Sequence, residues 1–249
     1  MNELNEVPSP VLGSRHKNRT KYVAACIVAG LSVVGCARSA EGQKPTPAQL
    51  SDALLTITDL DGGWSESQRQ FFDTRSPENP SIDPSIWCPE SAEVTKNLVD
   101  LAGDAGADVE MSIETDSGGP RIMRLQAWAN DDVRDYFKDA SEAARLCDGV
   151  TTTNESGAAS TTALITGRDI GDESVSWSDT IIPPPGTEKD KRQVIGRTTI
   201  ARFGDIIMVL QLGDVGPVGS TELMNEDDWW SVVETAGKKL DTLDEQVHD

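Results

Sequence analysis

Histidine is nearly absent from this 249-residue chain, and its two copies, His16 and His248, lie close to the two ends. The long stretch between them offers no imidazole. That disfavours Ser-His and Cys-His nucleophilic catalysis and the zinc sites built on histidine. Basic residues are also scarce, with 22 Lys and Arg against 42 Asp and Glu, a net charge of −20. Such a charge repels nucleic acid and anionic lipid headgroups. Gly-x-Ser-x-Gly, the phosphate-binding Gly-x-x-x-x-Gly-Lys-Ser/Thr and Gly-x-Gly-x-x-Gly are all missing, so no catalytic residue, cofactor or metal ligand is assigned. Apolar runs are too short for the ~20 residues that a spanning helix needs. What remains is 37% hydrophobic and 26% charged, the balance of a folded globular protein.

The N-terminus reads as an export signal. Arg15, Lys17, Arg19 and Lys21 precede an uncharged apolar run from Tyr22 to Gly35, the length of a signal-peptide core. The run ends in Val33-Val34-Gly35-Cys36, which resembles the bacterial lipobox, whose cysteine is acylated and becomes the new N-terminus. Val23-Ala24-Ala25-Cys26 has similar letters, but it abuts the basic segment and leaves no apolar core. The expected organisation is a lipoprotein signal peptide over 1–35, lipidated Cys36 and a flexible tether over 36–46, a folded domain over 47–245 and a tail over 246–249. One acyl chain binds a membrane only marginally, and the lipobox resemblance implies several. The acidic body is thereby expected on the outer face of the cytoplasmic membrane. Within it Cys88 and Cys147 are the remaining cysteines. Outside the cytoplasm a disulfide is the leading expectation, with two free thiols or half a metal site as the alternatives.

Thr46-Pro47-Ala48-Gln49 predicts a helix start, followed by Leu50, Leu54 and Ile57 as a buried stripe. Residues 64–72 suit a strand, and 73–87, with three prolines, suit a loop. Pro89 opens a further helix through Val94, Leu98 and Leu101 to Gly103. Two hairpins follow. Val109, Met111 and Ile113 alternate before a turn at 116–120 and a second strand at 121–129, while strands at 194–203 and 206–212 flank Gly204-Asp205, a loop of type II′ character. Each hairpin leads into a helix with acidic residues in its first turn, one burying Val133, Phe137, Ala140, Ala144 and Cys147, the other Trp230, Val233, Gly237 and Leu240. The recurrence suggests a degenerate internal repeat. Adjacent Trp229 and Trp230 are not expected both to face inward, and 178–193 reads as an exposed loop.

These elements predict an α+β domain, an antiparallel sheet with helices packed on one face. Alternation places Met123, Leu125, Ala127 and Ala129 on one face of their strand and Ile122, Arg124, Gln126 and Trp128 on the other. Pairing across Gly204-Asp205 sets Phe203 opposite Ile206 and Ala201 opposite Met208, an apolar face for helices. Thr198, Ile200, Val209 and Gln211 fall behind it. If the hairpins share a sheet, Arg124, Gln126, Trp128, Thr198 and Gln211 gather on one face. Polar groups set among apolar ones are what a small-molecule site needs. The plainer alternative is a sheet face packed under loops.

Several segments together are similar to actinobacterial lipoproteins whose body resembles the extracellular sensor domain of PknH-type Ser/Thr kinases. They are Leu54-Leu55 with Asp59-Leu60-Asp61-Gly62-Gly63-Trp64, the pair Cys88 and Cys147, Ile170-Gly171-Asp172-Glu173-Ser174-Val175 before Trp177, and Arg202-Phe203-Gly204-Asp205-Ile206-Ile207. The resemblance spans 47–245 and implies a non-catalytic domain whose sheet and helices frame a ligand cleft. The chain departs from the kinase domain in having one cysteine pair where that domain has two, and it lacks a kinase catalytic segment. Sensing would therefore pass through a partner.

The functional expectation is a lipid-anchored, extracytoplasmic module that binds a small molecule or an envelope protein, does no chemistry and takes no nucleic acid. Two alternatives stand beside it, a carboxylate-based hydrolase of envelope glycans and a structural envelope lipoprotein. Six tryptophans suit sugar stacking as well as ordinary cores, and cores are favoured. Asp59-Leu60-Asp61-Gly62 reads as a helix-ending turn in preference to a calcium loop, whose distal Glu it lacks.

Overall fold

Thr46 starts the first helix, α1 (Pro47–Ala53), with a complete capping box. Its hydroxyl accepts from the Gln49 N–H at 3.3 Å, and the Gln49 side chain accepts from the Thr46 N–H at 2.9 Å. The computed structural model describes residues 44–72, 88–90, 94, 106–116, 119–155, 157–184, 192–218 and 224–248. The expectations for 1–43, Cys36 included, and for the loop at 73–87 lie outside these residues. Of the helix expected from Pro89, the described Pro89, Glu90 and Val94 are helical.

A 3-10 turn (Ile57–Asp59) follows α1. Then come β1 (Ser65–Phe72), β2 (Gly106–Glu114), β3 (Pro120–Ala129), α2 (Val133–Leu146), β4 (Thr151–Thr153), β5 (Ala159–Leu164), β6 (Glu173–Ile182), β7 (Arg192–Phe203), β8 (Ile206–Pro217) and α3 (Glu226–His248). The eight strands form one antiparallel sheet in the order β1-β2-β3-β8-β7-β6-β5-β4. The α+β class and the antiparallel sheet agree with the sequence. So does the late hairpin, where Phe203 pairs with Ile206 and Ala201 with Met208. Gly204 takes φ +53° at the turn while, among the described residues, no non-glycine residue has positive φ, as a type II′ loop requires.

Helices cover both faces of this sheet, a correction to the expectation of one. On the first face α1 and α3 bury Leu50, Leu54, Leu55, Trp229, Val233 and Leu240 against Met111, Leu125, Met208 and Leu210. On the second, α2 lays Val133, Tyr136, Phe137 and Ala140 over Trp128, Trp177, Ile200, Ile207 and Val209. The reason is visible in β3, β7 and β8, whose alternate positions are apolar on both sides at the end nearest α2. A sheet with two apolar faces must be covered twice. The placement also removes the internal repeat. Strands β3 and β8 adjoin antiparallel, and a two-fold axis relating them would leave the helices after them on the same face.

Three further expectations change. Ile57 is 50% exposed, and Leu55 takes its place in the core, because α1 ends at Ala53 and the 3-10 turn breaks the helical stripe. Residues 178–182 belong to β6, so the loop begins later than expected. Trp229 and Trp230 are both buried. Both reach the core because the segment before β6 passes over α3, where Gly167 lies so close to the Trp230 ring that a Cβ there would stand 2.9 Å from it.

The segments that carry the family resemblance form fasteners. The Arg202 guanidinium donates to Glu173 at 2.9 Å and to the Gly204 carbonyl at 2.9 Å, and pairs with Asp172 at 3.0 Å. Asp172 also accepts from the Gly204 N–H at 3.0 Å. Gly171, at φ +63°, lies where a Cβ would collide with the Arg202 carbonyl and the Phe203 ring, so only glycine fits. Near the N-terminus Asp59 accepts from the Thr56 N–H at 2.7 Å, the Thr56 hydroxyl at 2.9 Å and Lys239 of α3 at 2.6 Å. That clamp ties the 3-10 turn to the last helix. Asp59 is the last residue of the 3-10 turn, and the helix expected to end at Asp59-Leu60-Asp61-Gly62 has already ended at Ala53.

Candidate ligand-binding site

The second face divides into two zones. Its lower half is the apolar floor under α2. Its upper half carries polar groups, and the register arranges them in rows. One row reads Glu110, Arg124, Gln211, Thr198 and Trp177 across β2, β3, β8, β7 and β6. The next row, two residues further along each strand, reads Ser112, Ile122, Gly213, Gly196 and Asp179, with Thr162 of β5 beyond. Neighbouring strands lie ~4.8 Å apart and same-face residues ~6.7 Å apart along a strand. Arg124, Gln211 and Thr198 therefore fall within about 10 Å of one another.

Four of the five residues proposed from sequence meet here. Arg124 donates through Nε to both carboxylate oxygens of Asp108, at 3.1 and 3.0 Å, and through Nη2 to one of them. Its charge is matched, while Nη1 stays outside that pair. Gln126, in the row toward α2, is 4% exposed, and Thr198 is 5% exposed. Among the described residues neither side chain makes a hydrogen bond, nor does the half-buried Gln211. None of these polar atoms is sealed from solvent. A polar group so deep in a protein is normally paired. An unpaired group that still reaches open space has its hydrogen-bonding capacity available to a ligand or ordered water.

Trp128 is the exception. It is fully buried beneath α2, and its indole N–H is enclosed without a partner. The alternation that places it on this face is correct, but it sits at the helix-covered end. A ring at this position is core, and its role as a ligand platform is withdrawn.

Sequence reasoning missed Asp179, which borders the glycines. Its carboxylate accepts from the Thr162 hydroxyl at 2.6 Å and from the Trp177 indole at 3.0 Å. Burial pushes its pKa above the ordinary carboxylate value, and the two hydrogen bonds only partly offset that. The signal was the alternation of Trp177, Asp179 and Ile181 with Ser176, Ser178 and Thr180, obscured by reading 178–193 as loop.

Cys88 and Cys147 are joined in a disulfide, with Cα atoms 5.9 Å apart. The bridge fixes the segment that precedes β2 to the C-terminus of α2. It also commits the two sulfurs that half a metal site would have needed. Among the described residues no helix is long and apolar enough to cross a membrane. Neither protein-family models nor curated proteins match the sequence.

Proposed function

We propose that this chain is a lipid-anchored, extracytoplasmic, non-catalytic module that binds a small molecule on the second face of its sheet, beyond the edge of α2. One observation carries the reading: Gln126, Thr198 and Gln211 hold unspent hydrogen-bonding capacity at the polar end of a largely buried sheet face. A protein without a ligand to recognise gains nothing from such groups, since apolar residues would pack there at lower desolvation cost. The absence of histidine between residues 17 and 247 supports binding over acyl-transfer chemistry. The lipobox-like Val33-Val34-Gly35-Cys36 supports the anchor, the Cys88–Cys147 bridge suits an oxidising compartment, and the resemblance to sensor domains supports a signalling use through a partner protein.

The deciding experiment is native mass spectrometry of full-length protein purified from its own membranes. A co-purifying small molecule is expected, lost in Thr198→Val and in Gln211→Leu at unchanged melting temperature. An empty protein, or a molecule that stays bound in both variants, overturns the reading. Cys36→Ala is expected to abolish lipid labelling, and undiminished labelling refutes the anchor.

A further inference from the structure

Gly196 and Gly213 face each other across the two central strands β7 and β8, and nothing in the backbone demands glycine at either. Neither has positive φ. A Cβ on Gly196 would meet its nearest described neighbour, a strand carbonyl, at 3.6 Å, and one on Gly213 at 4.0 Å. Both are ordinary contacts, so the space above the pair is open among the described residues. Glycine weakens a strand interior, and where no bulge or bend explains it, the usual reason is close approach of another group to the backbone.

The surroundings say which group. On one side of the pair lies Ile122, 41% exposed, and on the other Asp179. Thr198, buried and unpaired, is the next residue on the same face after Gly196, and Gln211 holds the same position before Gly213. The free groups are two amides and a hydroxyl, each able to donate and accept at once. The basic residue of the adjoining row, Arg124, has its charge matched by Asp108 and keeps only Nη1 outside that pair, while Glu110 and Asp179 add negative charge beside it. An anionic ligand would be repelled and a wholly apolar one would strand the amides. Alcohol hydroxyls, which also donate and accept, match them.

We propose, resting on the small-molecule reading above, that the ligand is a neutral sugar ring lying flat on the Gly196–Gly213 pair. The carbon–hydrogen face of the ring packs on the bare backbone and against Ile122. Its hydroxyls meet Thr198, Gln211 and Arg124 Nη1 on one edge, and Asp179 accepts from a hydroxyl on another. The missing side chains are what let a saturated ring approach the sheet.

The test uses detergent-solubilised full-length protein on an array of neutral and acidic oligosaccharides, with Gly196→Val and Gly213→Val as filling variants. β-Branched side chains suit strands, so equal or higher melting temperatures are expected. Retention of one or more neutral saccharides is expected, reduced at least tenfold by either substitution and not competed by acidic saccharides of equal size. Should the valine variants not fold, Gly213→Ala carries the same readout. Competition by a soluble disaccharide marks a free sugar as the source, and competition by the polymer alone marks a wall glycan. The inference is overturned if no neutral saccharide is retained, or if retention survives the filling of the glycine pair. A co-purified molecule that is not a sugar, yet is lost in Thr198→Val, overturns this inference alone. An empty protein overturns the binding reading as well.

Discussion

Replacing Lys239 with Met isolates the clamp between the 3-10 turn and the last helix. Both partners are half-buried, and Asp59 keeps its two bonds from Thr56 after the change. Exposed ion pairs contribute about 0.2–1 kcal/mol, whereas removing one partner of a fully buried pair costs about 3–5 kcal/mol. The intermediate burial here places the loss at about 1–2 kcal/mol at pH 7, or roughly 2–8 °C in melting temperature for a domain of this size. The pH dependence supplies the stricter check. Burial alone would raise the Asp59 pKa, but the hydrogen bonds from Lys239 and Thr56, together with the Lys239 charge, outweigh it and hold the carboxyl below its ordinary value. A group with a depressed folded pKa stabilises fully above its unfolded pKa, near ~4, and loses that contribution as the pH falls through the folded value. The gap between wild type and Lys239→Met should therefore be widest at neutral pH and close toward pH 3. Urea unfolding at pH 7 and pH 3 measures it through the midpoint and slope. An equal loss at both pH values would show that the lysine stem, and not its charge on Asp59, holds the helix.

Trp128→Ala should cost about 3–5 kcal/mol in chemical unfolding, the usual penalty for an emptied aromatic site; a fully stable variant that has merely lost its ligand would restore the ring to the binding site. Reduction of Cys88–Cys147, which closes a loop of 59 residues in sequence separation, should cost about 4 kcal/mol on the chain-entropy model. An unchanged melting temperature in reductant would show that the bridge constrains little. Gly171→Ala combines a left-handed backbone with a collision against the Arg202 carbonyl and Phe203, so about 2–4 kcal/mol should be lost. Thermal unfolding of that variant at wild-type temperature would mean that the corner relaxes freely.

Strand alternation and the two-residue turn at Gly204-Asp205 were enough to assign the central hairpin residue by residue, because a turn of that length leaves one register available. The same rule, carried along both strands, sets Gly196 opposite Gly213, although local pattern gave no reason to look for a floor there. The Thr46 cap was equally legible, since its chemistry is complete within four residues. What local sequence could not reveal was which end of the second face a helix would cover. Trp128 and Thr198 alternate equally well, and only the path of α2 separates a buried ring from an open hydroxyl. The assignment of Trp229 and Trp230 failed for a related reason. A helix wheel allows one inward face, but here a passing segment supplies a second wall. Asp172, Glu173 and Arg202 lie in segments that carry the family resemblance, and the structure explains them as a fastener in which two surface carboxylates hold a buried arginine.

The junction of β3 with β8 has a consequence for how the molecule matures. Trp128 finds Ile207 across that seam, 79 residues on, so the middle of the sheet waits for a strand made much later. Neither half can complete its core in the meantime, and such distant pairings close slowly. A nascent chain with this wiring stays loose until nearly all of it has emerged, a state compatible with the export proposed above. The same delay leaves one edge of β3 unpaired in the meantime, so the early hairpin of β2 and β3 is where a holding chaperone would do the most to prevent premature association.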